Sequence, residues 1–75
     1  MRRIKVAILR GGPSGEHDVS LKTGKSVIEN LPEKYIPIDV YIDKKGVWHV
    51  DGVSVKPEKI ISDVHVVFNA LHGAY

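Results

Sequence analysis

The chain has no cysteine, which excludes a disulfide framework and a thiolate metal site. A reducing, cytoplasmic setting fits that absence. It also has no long hydrophobic run. Every apolar stretch falls far short of the ~20 residues needed to cross a bilayer. Met1-Arg2-Arg3 does not open a signal peptide, because Lys5 and Arg10 interrupt the apolar segment and no cleavage pattern follows. Aromatic residues are few, at 7%, and do not interleave with the lysines. Charge of one sign is not concentrated either: 11 basic residues stand against 9 acidic ones, scattered from Arg2 to Lys59. Together these absences argue against a nucleic-acid platform and a membrane partner. The four histidines (His17, His49, His65 and His72) are spaced too widely for a local zinc pair.

What is present is the core of one small domain. The chain has 75 residues, and a hydrophobic fraction of 43% places it among globular proteins. A domain of this size buries only about 60% of its unfolded surface and is marginally stable. No repeat, linker or low-complexity tract divides it.

Residues 4 to 9 (Ile4-Lys5-Val6-Ala7-Ile8-Leu9) read as a buried strand, because apolar residues are almost continuous. A helix is predicted from about Asp18 to Asn30. Its inward positions are Leu21, Gly24, Val27, Ile28 and Leu31, and Leu31-Pro32 ends it. Gly24 costs such a helix about 1 kcal/mol relative to alanine, which implies close packing on a sheet. A second strand runs from Tyr35 to Asp43, where apolar and polar residues alternate and Pro37 sits at an edge. Asp43-Lys44-Lys45-Gly46 forms a turn, Val47 to Val50 return as a short strand, and Asp51-Gly52 turns again. Pro57 to Ile61 make a helical turn. Val64 to Ala70 form an apolar final strand. The expected fold is α/β, with an incomplete, open, mostly parallel sheet and one main helix. One helix leaves a sheet face and the last strand unshielded, so the domain reads as unfinished.

The most informative stretch is Gly11-Gly12-Pro13-Ser14-Gly15-Glu16-His17-Asp18-Val19-Ser20. It joins the first strand to the helix, aiming backbone N–H groups and a carboxylate at the carboxyl end of the strand. It fits neither G-x-G-x-x-G nor a P-loop, so phosphate cradling is a weak reading. Gly11, Gly12, Ser14, Glu16, His17, Asp18, Val19 and Ser20 instead resemble the first signature of the D-alanine–D-alanine ligases. Ala70-Leu71-His72-Gly73 resembles the start of that family's second signature.

The resemblance implies a Rossmann-like half-fold preceding ATP-grasp domains that lie beyond residue 75. Residues 1–75 would be the N-terminal substrate-binding segment, inactive alone, of a bacterial cytoplasmic enzyme of peptidoglycan synthesis. In that chemistry ATP phosphorylates the carboxylate of one D-alanine, and the amine of a second displaces the phosphate. ATP and Mg2+ belong to the full enzyme, and none is expected to bind this segment. The resemblance casts Glu16 and Ser20 as catalytic, and Glu16, Val19, His72 and Gly73 as substrate-binding. Glu16 would take the ammonium of the first D-alanine, and His72 would lie near its carboxylate.

Simpler readings stand beside these. Glu16 and Asp18 also favour a helix N-terminus, and Ser20 also reads as a first-turn cap. His17 reads either as a ligand or as the partner of a backbone carbonyl or loop carboxylate. His49 and His65 read as structural, and Trp48 as cover for the hairpin. Expected partners are D-alanine and the remainder of the ligase. The fragment would self-associate, and the full enzyme would be a homodimer. The second substrate, D-alanine, D-lactate or D-serine, stays open. The alternative reading is a stand-alone binding or self-assembling module built on the half-fold.

Overall fold

The computed structural model describes residues 3–12 and 17–71. The described elements are β1 (Ile4–Gly11), α1 (His17–Asn30), β2 (Tyr35–Ile42), β3 (Trp48–Val50), β4 (Val53–Val55), α2 (Pro57–Asp63) and β5 (Val66–Asn69). They form one sheet of order β4-β3-β2-β1-β5. β1 lies parallel to β2 on one side and to β5 on the other. β2–β3 and β3–β4 are antiparallel.

The architecture is therefore α/β as expected, but the sheet is mixed rather than mostly parallel, and it carries two helices. Two local causes account for the difference. Asp51 (φ 52°) and Gly52 (φ 80°) both have positive φ, the geometry that matches the twist of a two-residue hairpin. That turn folds Val53–Val55 back onto β3, pairing Val50 with Val53. A three-residue strand is too short to show alternation, so only the turn is visible in the sequence. The second helix begins with Pro57, whose missing N–H is harmless in a first turn, and it runs past Ile61 to Asp63.

Ala7, Leu9, Val40, Ile42 and Ile60 form a buried cluster. Alternation along a strand puts Ala7 and Leu9 on one face and Val6, Ile8 and Arg10 on the other. Ile60 of α2 belongs to the first set, while Gly24 of α1 meets Arg10 of the second. The helices thus cover opposite faces. Four consecutive β1 residues, Val6 to Leu9, are at most 7% exposed, and each large one contributes roughly 1.5–3 kcal/mol on burial.

Gly24 answers its own helix penalty. A Cβ there would stand 2.6 Å from Cβ and Cδ of Arg10, so the glycine lets the arginine stem lie across α1. The guanidinium then pairs with Asp39, Nε to Oδ1 at 2.8 Å and Nη2 to Oδ2 at 2.6 Å, and donates to the Leu21 carbonyl. Pro37 sits inside β2, opposite Val6. β3 pairs with β2 only at Tyr41 and Ile42, so Pro37 has a single neighbouring strand.

The turn between β2 and β3 is an acid-sensitive element. Asp43 Oδ1 accepts the N–H groups of Lys45 and Val47, and Oδ2 faces Nε2 of His49 at 2.9 Å. The His49 contact and the Val47 N–H hold the Asp43 carboxyl below its usual 3.8. A lowered folded-state pKa stabilises above the unfolded value and is lost as pH falls through the folded one. Asp43→Asn should therefore lower the thermal midpoint near pH 6. The gap to the parent chain should shrink as pH falls below 3.8. A gap that is constant with pH would show that the carboxylate charge is irrelevant there.

Candidate functional site

The carboxyl ends of β1, β2 and β5 meet at one rim, because all three strands run in parallel. Open α/β sheets bind ligands at such a rim. The chain leaves β1 through Gly11 (φ 100°) and Gly12 (φ 91°), a conformation that side chains rarely adopt. Gly12 N–H donates to the Ile42 carbonyl at 2.7 Å, pinning this exit to the end of β2. On the other flank Ala70 N–H donates to the Leu9 carbonyl, and the Leu71 side chain approaches Gly12.

Helix α1 presents two buried polar residues to this rim, His17 and Ser20. Ser20 is fully enclosed. Its hydroxyl accepts the Gly11 N–H at 2.9 Å and donates to the Ala70 carbonyl at 2.7 Å. One side chain thus ties β1, α1 and the exit of β5 together, and each sequence motif departs from a residue it holds or from that residue's neighbour. The cap role read from the sequence is replaced by this strap.

His17 is 6% exposed. Its Nδ1 lies 2.6 Å from the Gly12 carbonyl oxygen, and Nε2 lies 3.3 Å from the Tyr41 hydroxyl. The two rings meet edge to face at 5.6 Å. Of the alternatives open for His17, the described residues show the backbone-carbonyl partner. Val19 is half exposed on the first turn of α1.

The expectations for Glu16, His72 and Gly73 lie outside the described residues; His17 adjoins Glu16 and Leu71 adjoins His72 in sequence. His49 pairs with Asp43, and His65 Nδ1 accepts the Lys5 N–H, so both serve structure. Sequence reasoning missed Tyr41. The signal was present: β2 alternation puts Asp39 and Tyr41 opposite Ile38, Val40 and Ile42. It also missed the bond between Arg10 and Asp39, which gives the same face its order.

A cavity of about 380 Å³ opens beside Tyr41, lined also by Asp39, His49, Asp51 and Gly52. Among the described residues no three metal-ligating side chains stand together, and no helix is long and apolar enough to cross a membrane.

Comparison with known proteins adds the family. The model of the D-ala D-ala ligase N-terminus matches residues 5–62. A D-alanine–D-alanine ligase of Solibacter usitatus is 36% identical over 74 residues, which cover 97% of this chain and 22% of that protein. The vancomycin/teicoplanin A-type resistance protein VanA of Enterococcus faecium is 55% identical over 49 residues, 64% of this chain and 14% of VanA. The crystal structure of the VanG D-Ala:D-Ser ligase from Enterococcus faecalis is similar with a TM-score of 0.63 at 32% identity. That match covers 83% of this chain and 18% of VanG. The chain therefore spans about a fifth or less of the length of these relatives.

Proposed function

The chain belongs to the D-ala D-ala ligase N-terminus family, and on that premise we propose that residues 1–75 are the substrate-binding segment of a ligase joining two D-alanines. The observation that carries this reading is the rim itself. Gly12 and Leu71, one from each family signature, lie side by side there; His17 bonds Gly12, and Ser20 bonds their neighbours Gly11 and Ala70. One small amino acid can then be held at both ends. Glu16 would receive its ammonium, His72 and the adjoining Gly73 would receive the region of its carboxylate, and the half-exposed Val19 would border it.

An ionised carboxylate suits an ammonium, because a charge-assisted bond is about twice as strong as a neutral one. We assign Ser20, which the resemblance casts as catalytic, to holding the two segments rather than to touching the substrate. Its hydroxyl hydrogen is already given to Ala70, and no part of it is exposed.

We place ATP and Mg2+, which the family resemblance implies, on the remainder of the ligase. No step attributed to this chain passes through them. Peptidoglycan precursor synthesis in the cytoplasm, with a homodimeric enzyme, follows from the same reading. β5 supports a second reading, a stand-alone self-assembling module. Val66, Val67 and Phe68 are all more than 40% exposed on an edge strand, and such edges pair with other chains.

The intact mass of the gene product separates the two readings. A species of several times 8.3 kDa agrees with a ligase segment, and one of 8.3 kDa agrees with the module. In the larger species Glu16→Gln should raise KM for the first D-alanine about ten- to hundredfold, the loss of one charge-assisted bond. An unchanged KM would remove Glu16 from the site.

A further inference from the structure

Asp39 and Tyr41 stand two residues apart on β2 and therefore share a sheet face. His49 lies across from Tyr41 in the β2–β3 register. With Asp51 and Gly52 of the next turn, these residues line a cavity of about 380 Å³. Cavities of about 300–1,000 Å³ hold small ligands. From this setting we propose that the cavity is a binding site for a small molecule bearing a guanidinium group. Its lining includes none of Gly12, Ser20 and Leu71, which belong to the rim. The proposal does not depend on the ligase reading.

Charge is the first argument. Asp39 has both carboxylate oxygens engaged by Arg10, so its charge is answered. Whatever charge His49 carries faces Asp43 Oδ2 at 2.9 Å. Asp51 makes no side-chain hydrogen bond or ion pair among the described residues. Its carboxylate is the uncompensated charge of the cavity and favours a cation. The same charge works against a ligand that carries its own carboxylate, as D-alanine does.

The Tyr41 ring selects among cations. It is 36% exposed and touches two imidazoles. His17 meets it edge to face at 5.6 Å, and His49 lies tilted beside it at 5.8 Å. A planar guanidinium stacks on such a ring and also offers a carboxylate a fork of N–H donors. A compact ammonium brings the charge without the fork. Gly52 adds no side chain to the wall, and nothing lies within 4 Å of its Cβ position, so the approach to Asp51 is open.

The test is an NMR titration of the intact gene product with propylguanidinium. Saturation with a Kd of about 1 mM or tighter is expected. Propylammonium should bind about threefold or more weaker, and uncharged propylurea about tenfold or more weaker. Asp51→Asn should weaken propylguanidinium binding about tenfold or more. Asparagine preserves the turn, because it accepts the positive φ of this position and commonly precedes glycine in such hairpins. Tyr41→Leu should cost about threefold, whereas Tyr41→Phe, which keeps the ring, should stay within about twofold.

No saturation at about ten times the expected Kd overturns the site. An unchanged affinity in Asp51→Asn overturns it too, and so does equal binding of propylurea. Equal binding of propylammonium overturns the guanidinium assignment. N-acetylarginine methylamide binding more than about tenfold tighter than propylguanidinium overturns the small-molecule assignment in favour of a peptide arginine. Saturating D-alanine should leave the affinity unchanged, and displacement by D-alanine would overturn the separation of this cavity from the rim.

Discussion

Gly11→Ala should remove a large share of the chain's stability, a loss of roughly 3–5 kcal/mol in chemical denaturation. Two independent costs meet at this residue. Its φ of 100° strains any side-chain-bearing residue, at about 1–3 kcal/mol. A Cβ would also run into the Ile42 carbonyl oxygen and stand 3.2 Å from Cε1 of His17. That oxygen cannot swing aside, because it accepts the Gly12 N–H within a β1–β2 register fixed over eight residue pairs. A chain of this length has about 4–11 kcal/mol of stability in all.

Gly46→Ala is the internal control. Gly46 has φ of 88° but nothing within 4 Å of its Cβ position, so it carries backbone strain alone, about 1–3 kcal/mol. Equal losses at the two glycines would mean that the Ile42 carbonyl yields easily and that the rim is softer than its hydrogen bonds suggest.

The second large effect is expected at Ser20. Ser20→Ala removes both bonds of the strap and leaves the Gly11 N–H and the Ala70 carbonyl unpaired in an enclosed place. Unsatisfied buried groups cost about 1–3 kcal/mol each, so the loss from the two should reach roughly 2–6 kcal/mol. Equilibrium unfolding of the parent and variant measures it. The same variant separates the two roles considered for this hydroxyl. A group touching substrate would lower kcat at unchanged stability, whereas a strap lowers stability first. A fully stable Ser20→Ala variant with reduced turnover would restore the catalytic role.

The sequence made the ends of the site legible and left its interior hidden. That Gly11-Gly12 and Ala70-Leu71 come to one strand rim follows from the apolar runs Ile4–Leu9 and Val64–Ala70 and from parallel strand order. Gly24 was readable as a close approach, although the partner, the Arg10 stem, was not. Arg10 interrupts an apolar run and looks like a surface charge until Asp39, twenty-nine positions away, is folded beside it.

The inward stripe of α1 was legible in part. Of its expected positions Gly24 is buried and Leu21, Val27, Ile28 and Leu31 are half buried. The two buried polar residues of the helix, His17 and Ser20, were not in that stripe. A polar residue is buried when its bonds are met, and the partners of Ser20 are nine and fifty residues away. No local pattern encodes that. β4 was missed for a different reason, since its signal lies in the positive φ of Asp51 rather than in any run of residues.

The central place of β1 also sets the order of assembly. Its neighbours β2 and β5 lie about thirty and about sixty residues further along the chain. β2, β3 and β4, by contrast, are joined by short turns. Hairpins close in about 1–10 μs, so the β2–β3–β4 meander can form before β1 has paired. Doubling the closed loop from β2 to β5 adds only about 0.6 kcal/mol of closure entropy. The delay is therefore one of synthesis and search rather than of final stability. For that interval the most deeply buried of the described strands travels unpaired.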